Sequence, residues 1–321
     1  MPVPDDSVDH LKLSLKELVE HYEGFLRDCE RKSTETRGTY QRALREFLSW
    51  FAVDKRFLFR PRDVERYKRY LVERKRLQPV SIATYLTAVR RFCQYLIDIK
   101  VLTQNPARRV IGAPRPVRHS RTSLSEDEVR TLLASIDTSS VGGMRDYAIV
   151  RLMLDCALSE KELVHADVED VVYSPAGAIL RVQVKGRRTK DETVVLPSSA
   201  LDAITQYLDR RLGPEVHTHP GAPLFASMSN RTRGDRMTAR GIRSAVNNWL
   251  ESSGVKGDRD RRLTPFSLRH TAGLMIVDRG ATVEELMRFM RIEWEPTALL
   301  YFKLRGVAPR HSPRSHTEPR T

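Results

Sequence analysis

The 321-residue sequence has few cysteines and no long apolar run. Its three cysteines, Cys29, Cys93 and Cys156, are far apart and odd in number, which fits neither a disulfide framework nor a zinc site and suits a reducing compartment. The richest apolar window, Ala148 to Leu158, is interrupted by charged residues and is shorter than the ~18 residues of a membrane span. The N-terminus lacks the apolar stretch of a signal peptide. We therefore expect a cytoplasmic protein that makes no contact with a membrane.

The sequence also lacks a glycine-rich phosphate loop, a zinc-binding signature and a Ser-His-Asp spacing. Negative charge is in short supply, because 55 Lys and Arg face 41 Asp and Glu and give a net charge of +14. The isoelectric point is near 9.9. A balance this basic favours a polyanionic partner, and nucleic acid is the commonest one.

Residues 11–110 predict a small helical bundle. Apolar side chains recur at three- and four-residue steps in four segments, and Asn105-Pro106 ends the last of them. That last segment begins after Pro79, and Ser81 is its expected cap. Arginines occupy the opposite faces, so the outer surface of the bundle is basic. Residues 111–122 contain two prolines and several basic side chains and predict an extended linker that could follow a phosphate backbone.

Residues 123–304 predict a second domain. It opens at Ser123 with Glu126 three residues later, the spacing of a capping box. From Ala178 apolar and polar residues alternate, and Glu192 to Leu196 predicts a second strand, so we expect a β-hairpin with Lys185 at its turn. Helices are expected on both sides of this hairpin. The predicted fold class is mainly α with a small β-hairpin or sheet, and residues 305–321 are expected to be a disordered basic tail.

The most distinctive stretch runs from Thr264 to Thr271 and reads Thr-Pro-Phe-Ser-Leu-Arg-His-Thr; Arg279-Gly280-Ala281 and then Tyr301 follow it. These segments resemble the C-terminal half of the tyrosine recombinase, or phage integrase, family. Further segments match the order and spacing of the family: Leu124 to Glu128, Arg145-Asp146, Val184-Lys185-Gly186, and Ser81 to Leu86 with Asn105-Pro106. By this resemblance the first domain is a core-binding domain and the second a catalytic-type domain.

The resemblance implies DNA-cleaving chemistry. In this family a tyrosine oxygen attacks a phosphodiester and forms a 3′-phosphotyrosyl bond, two arginines hold the phosphate oxygens, and a lysine protonates the leaving 5′ oxygen. Carried over onto this sequence, the nucleophile is Tyr301, the second arginine is Arg269 and the lysine is Lys185. No metal and no cofactor is implied, because the covalent link conserves the energy of the bond.

Three positions of the family's catalytic set hold other residues here. Ser159 stands at the first arginine, and Phe266 stands at the histidine before the second arginine. The family's Leu-Gly-His segment before the nucleophile reads Met290-Arg291-Ile292 here, so Ile292 replaces its histidine. A serine hydroxyl cannot replace a charged guanidinium fork, and neither apolar side chain can donate to a phosphate. Because loss of one preorganised donor typically costs ~10²–10³ in rate, the sequence predicts impaired cleavage. Arg288 and Arg291 are near Tyr301 in the sequence and are the neighbours that could turn in to compensate.

The resemblance further implies double-stranded DNA as partner, self-association or a partner recombinase on that DNA, and association with the nucleoid. The candidate DNA-binding residues are arginines on the bundle, in the linker, at the hairpin turn and in the loop before Phe266. They are Arg42, Arg45, Arg90, Arg91, Arg115, Arg118, Arg187, Arg188, Arg261 and Arg262.

Three alternatives stay open at this point. A lapsed recombinase that binds DNA and assists or regulates an intact partner would account for the replaced residues. A helical transcription regulator would share the charge and the helices, but it needs neither Arg269 nor Tyr301. A type IB topoisomerase would share similar chemistry. Formation of a covalent adduct between protein and DNA separates the cleaving candidates from the others.

Overall fold

The computed structural model describes residues 11–54, 56–112, 122–175, 177–184, 186–213, 221–257 and 262–312. The chain divides into two compact units, Met1–Val117 and Arg118–Thr321, each with its own apolar core. Most of the linker predicted for residues 111–122 and the end of the predicted tail lie outside the described residues. Within those residues, no helix combines the length and apolar character needed to cross a bilayer.

The first unit consists of helices packed around an aromatic-rich core. Its helices are α1 (Leu15–Asp28), α2 (Thr34–Val53), α3 (Pro61–Glu73) and α4 (Pro79–Asp98). Serines cap α1 and α2, whereas α3 and α4 begin with proline, whose fixed φ suits the first helical position. Ser81 therefore lies inside the first turn of α4, and the prediction that it caps this helix is wrong.

The second unit combines helices with a small sheet. Its helices are α5 (Glu126–Ser135), α6 (Val141–Asp155), α7 (Glu160–His165), α8 (Ser198–Leu212), α9 (Ala239–Ser252), α10 (Pro265–Asp278), α11 (Val283–Met290) and α12 (Glu295–Arg305). The capping box at the start of α5 pairs Ser125 with Glu128, so the prediction of Ser123 with Glu126 is wrong in register. Helix α12, which carries Tyr301, was not predicted.

The sheet is antiparallel, with strand order β1-β2-β3. Its strands are β1 (Val171–Ser174), β2 (Gly177–Val182) and β3 (Glu192–Leu196). The predicted alternation holds in β2, where Ala178, Leu180 and Val182 are buried. Strand β1 was missed, because its burial pattern does not alternate. The predicted fold class, mainly α with a small sheet, is confirmed.

Helices α10, α11 and α12 pack around a small apolar core of their own. Gly273 on α10 permits this close approach, because a Cβ there would come within 2.3 Å of Met290 Sδ and 2.6 Å of Tyr301 Cε1. Gly280 follows the end of α10 with a φ of 86°, which glycine adopts without strain. These two glycines set how α11 and α12 lie against α10.

The chain after α12 turns back to the start of α11. Val283 N–H donates to Arg310 O at 2.8 Å, and Ser312 N–H donates to Glu284 Oε2 at 2.8 Å. His311 Nδ1 lies 2.8 Å from Glu284 Oε1. Residues 306–312, which fall in the segment predicted as a disordered tail, thus contact the domain through defined hydrogen bonds.

Candidate active site

Arg269 lies on the first turns of α10 and is 9% exposed. Its Nη1 donates to Ala157 O at 2.6 Å and to Glu162 Oε2 at 2.8 Å, and its Nη2 donates to Met290 O. Burial lowers the pKa of Arg269, the neighbouring charge of Arg291 adds to this effect, and Glu162 opposes it. The guanidinium is therefore held from three sides by α7, α11 and the loop before α7.

Tyr301 lies in the middle of α12 and is 2% exposed. Its ring packs on α10, with its centroid 5.0 Å from that of His270 and its edge over Gly273. Gly273 is one helical turn beyond Arg269, so the two residues share a face of α10. The structure thus packs Tyr301, the predicted nucleophile, against the turn of α10 that follows the turn bearing Arg269, the predicted second arginine.

Glu162 lies at the centre of the buried charged cluster, and it was not among the predicted site residues. It is 3% exposed and completes the capping box of α7, because its Oε2 accepts from Ser159 N–H at 2.6 Å. The same carboxylate accepts from Arg269 and, through Oε1, from Arg291 Nε at 2.5 Å. Burial favours its neutral form, but the two guanidinium groups outweigh burial and hold the pKa of Glu162 below its ordinary value.

Arg291 is the second charged partner of Glu162, and the sequence indicated it only, with Arg288, as a neighbour that could turn in beside Tyr301. It follows α11 in the left-handed region, with φ 51° and ψ 51°, and its side chain is 6% exposed. Besides Glu162, its guanidinium bonds carbonyls: Nη1 donates to Phe289 O at 2.8 Å and Nη2 to Ala157 O at 2.7 Å. Ala157 O therefore accepts from both Arg291 and Arg269.

The three replaced family positions hold a capping serine and two half-buried apolar side chains. Ser159 is the N-cap of α7, and its hydroxyl accepts from Glu162 N–H at 3.4 Å. Phe266 and Ile292 are half-buried, and Ile292 packs on the core of α10 to α12. Trp294, two residues further, is 68% exposed at the start of α12.

The predicted lysine, Lys185, lies outside the described residues. The turn that follows it is linked to the segment before α12, because Arg187 Nη2 lies 3.6 Å from Glu293 Oε1. Arg187 also pairs with Asp191 at 2.9 Å and Glu192 at 3.2 Å, so acidic neighbours surround this candidate DNA contact.

Besides Arg187, the DNA-binding candidates fall into three groups. Five have exposed side chains: Arg42, Arg45, Arg91, Arg188 and Arg262. Arg90 is half-buried and donates to Ala107 O and Val110 O, both at 3.1 Å, so it fixes the chain that follows α4. Arg115, Arg118 and Arg261 lie outside the described residues.

A separate buried ionic group joins α6 to α9. Arg145 Nε and Nη2 donate to Asp146 Oδ1 at 2.9 and 2.7 Å, and Nη1 donates to Ala226 O at 3.0 Å. Trp249 Nε1 donates to the other oxygen of Asp146 at 2.9 Å. One guanidinium faces one carboxylate here, and both residues are 8% exposed. Across the part of the chain that the structure describes, no cluster of His, Cys, Asp or Glu is arranged to hold a metal ion.

Comparison with known proteins agrees with this geometry. Residues 122–295 match the phage integrase family, and residues 19–100 match its N-terminal SAM-like domain. The tyrosine recombinase XerC of Pelotomaculum thermopropionicum is 28% identical over 284 residues, covering 85% of this chain and 90% of the relative. The tyrosine recombinase XerC of Vibrio vulnificus is 30% identical over 231 residues, covering 72% of this chain and 68% of the relative.

Solved structures share the fold at low sequence identity. The XerH site-specific recombinase bound to palindromic difH substrate has a TM-score of 0.68 and 13% identity, covering 93% of this chain and 88% of that one. A lambda integrase dimer bound to a COC′ core site has a TM-score of 0.66 and 12% identity, covering 88% of this chain and 96% of that one. This protein belongs to the phage integrase family, the tyrosine recombinases.

Proposed function

We propose that this protein is a site-specific recombinase that binds double-stranded DNA and cuts it with Tyr301. The observation that carries the proposal is the packing of α12 on α10, which places Tyr301 beside the turn that bears Arg269. The relatives named tyrosine recombinase and the structural neighbours bound to DNA support this activity. The basic composition of the chain agrees with an activity on DNA.

In the proposed reaction the Tyr301 hydroxyl loses its proton to water, and its oxygen attacks the phosphorus of a phosphodiester. A bond forms between phosphorus and the tyrosine oxygen, and the bond from phosphorus to the 5′ oxygen breaks, which leaves a 3′-phosphotyrosine. Lys185 gives a proton to the departing 5′ oxygen, and Arg269 stabilises the charge that builds on the phosphate. Because the side chain of Tyr301 is buried, the reaction requires DNA binding to give the tyrosine access to the phosphate.

We propose that the exposed arginines of both units bind the DNA backbone. Arg42, Arg45 and Arg91 belong to the first unit, and Arg188 and Arg262 to the second. Contacts of this kind are electrostatic and release counterions, so affinity falls steeply with salt. Self-association on DNA, as in the lambda integrase dimer, and a location at the nucleoid complete the proposal.

A second candidate function is supported by the replaced positions. The Ser159 hydroxyl is used in a helix cap, and Phe266 and Ile292 offer no donor, so three groups of the family's catalytic set are missing. A protein that binds and bends its site, or assists an intact recombinase, would tolerate these losses. This candidate predicts tight binding to DNA without cleavage.

The deciding experiment is trapping of a covalent adduct. Duplexes retained by the full-length protein are first selected from a random-sequence pool, and the selected site is then rebuilt with a nick that lets the cleaved strand diffuse away. We expect a denaturation-resistant adduct with the wild-type protein and none with Tyr301→Phe, which keeps the buried ring. Tight binding without an adduct from the wild-type protein would refute cleavage and favour the accessory candidate.

A further inference from the structure

Arg291 adopts a backbone conformation that disfavours its residue type. Its φ of 51° lies in the left-handed region, where glycine is at ease and a side chain with a Cβ is strained. In the family motif the corresponding residue of Leu-Gly-His is glycine, whereas this chain reads Met290-Arg291-Ile292. The strain is tolerated because the side chain is buried in a dense set of hydrogen bonds.

The hydrogen bonds of Arg291 reach the segment around Ser159, the position at which the family has its first catalytic arginine. Arg291 Nη2 donates to Ala157 O at 2.7 Å, and Nε donates to Glu162 Oε1 at 2.5 Å. Ser159 lies between these two partners in the sequence. A guanidinium therefore occupies the neighbourhood of Ser159, but it comes from the end of α11 rather than from the start of α7.

The group has one positive charge in excess. Arg269 and Arg291 share the carboxylate of Glu162, and all three side chains are nearly inaccessible to water. Without Arg291, the charges of Arg269 and Glu162 would cancel. With Arg291 present, the group carries one net buried positive charge. Such a charge favours binding of an anion and can stabilise a phosphate whose negative charge builds during the reaction.

Arg291 also decides how Glu162 holds Arg269. Glu162 Oε1 accepts from Arg291 Nε at 2.5 Å, whereas Oε2 accepts from Arg269 Nη1 at 2.8 Å and, at a longer 3.4 Å, from Arg291 Nη2. If Oε1 lost its partner, the carboxylate could turn both oxygens to Arg269 in a bidentate pair, the preferred geometry of an isolated Arg–carboxylate pair. That pair would withdraw the donors of Arg269 from a phosphate.

We infer that Arg291 is a positioning residue of the phosphate site, which supplies the positive charge that Ser159 lacks and presents Arg269 through Glu162. The inference rests on the proposed cleavage by Tyr301. It identifies Arg291 as a working part of the site, and it places the compensation for Ser159 at a residue that the family's catalytic set does not include. Arg291 acts through Glu162 and through its charge, because its own donors are directed to protein carbonyls.

The test is a cycle of substitutions read by adduct formation on the nicked duplex. Arg291→Gly removes the guanidinium and relieves the backbone strain, so a loss of activity cannot come from that strain. We expect the adduct rate at saturating DNA to fall about 10²-fold, in the range of one lost preorganised donor, while half-saturation stays unchanged. Adding Ser159→Arg to Arg291→Gly should restore most of the rate, which a merely structural role of Arg291 does not predict.

Two further variants keep the test decisive. Arg288→Ala removes an exposed arginine of α11 and should leave the adduct rate at its wild-type value. Arg291→Lys keeps the charge but cannot hold Glu162 and two carbonyls at once, so about a tenfold loss is expected, by analogy with other bidentate sites. If Arg291→Gly does not fold, as judged by circular dichroism, the adduct rate of Arg291→Lys decides whether Arg291 has the inferred role.

The outcomes separate this inference from the function on which it rests. A wild-type rate in Arg291→Gly or Arg291→Lys, or failure of Ser159→Arg to rescue folded Arg291→Gly, would overturn the role of Arg291 and leave cleavage intact. Tight DNA binding by the wild-type protein without any adduct would overturn both. A loss confined to half-saturation would mean that Arg291 contributes to binding and would also overturn the inference.

Discussion

The second unit buries two ionic groups that differ in their balance of charge. At Arg145 one guanidinium meets one carboxylate, and Ala226 O and Trp249 Nε1 complete the set of partners. At Glu162 two guanidinium groups meet one carboxylate. The first group is neutral and has the composition of a structural link between helices. The second carries an unmatched charge, which makes it suited to an anionic ligand.

Removing the carboxylate of the neutral group should produce the largest loss of stability. Asp146→Ala leaves Arg145 buried without its counterion and Trp249 Nε1 without its acceptor. We expect the free energy of unfolding to fall by about 3–5 kcal/mol, measured by urea denaturation. Trp249→Phe, the matched control, loses one charge-assisted hydrogen bond and should cost about 1.5–3 kcal/mol.

Asp146→Ala also tests whether the Arg145 group has a purely structural role. If the group at Arg145 is purely structural, Asp146→Ala should form adduct at the wild-type saturating rate at temperatures where it stays folded. A specific loss of cleavage in folded Asp146→Ala would show that the Arg145 group also supports cleavage. The two ionic groups would then not have separate structural and functional roles.

The stability that the Glu162 group contributes should depend on pH in the acid range. Glu162 has a lowered pKa when folded, so its contribution to stability is fully present above its ordinary value of 4.5 and is lost as the pH falls through the folded pKa. We expect Glu162→Gln to reduce the free energy of unfolding by about 3 kcal/mol at pH 7, since glutamine keeps one acceptor oxygen but no charge. The difference from the wild-type protein should shrink below pH 4.5, and parallel curves from pH 7 to pH 3 would contradict this assignment.

A smaller effect should come from crowding the helix that carries Arg269. In Gly273→Ala the new methyl group would meet Met290 and Tyr301 at 2.3 and 2.6 Å, so α11 and α12 must shift. We expect a loss of about 1–3 kcal/mol in unfolding free energy together with slower adduct formation. The control is Gly38→Ala in α2, where no atom lies within 4 Å of the new Cβ and a gain of about 0.5–1 kcal/mol is expected. Equal effects of the two substitutions would argue against close packing at Gly273.

Local sequence patterns predicted most of the helices and strands, and they missed or misplaced a few. The alternation in β2 and the apolar steps in the first unit are each visible within a short window of sequence. Helix α12 was missed because its buried residues, Ala298, Tyr301 and Phe302, make a narrow stripe behind Pro296. That stripe and the proline near the helix start were the available signal.

For the candidate site, the family resemblance proposed the motif residues but indicated none of the contacts among them. Arg269 and Tyr301 were placed by the resemblance, and the structure brings them to adjacent turns. Glu162 and Arg291 are separated by most of the second unit, and no period or spacing relates residues that meet only through folding. The available signal was an arginine where the family motif has glycine, and its meaning depended on a φ that the sequence alone does not give.

The cap at the start of α7 constrains how this chain could change over time. Ser159 caps the helix through the same residue, Glu162, that receives both guanidinium groups. An arginine reinstated at that position would forfeit the serine cap, at about 0.5–2 kcal/mol, and would bring a third cation to one carboxylate. Reversion is therefore unfavourable while Arg291 is present, and it becomes accessible only after Arg291 is lost. The order in which Ser159 and Arg291 change, and not the number of changes, would therefore keep this chain apart from the arrangement of its relatives.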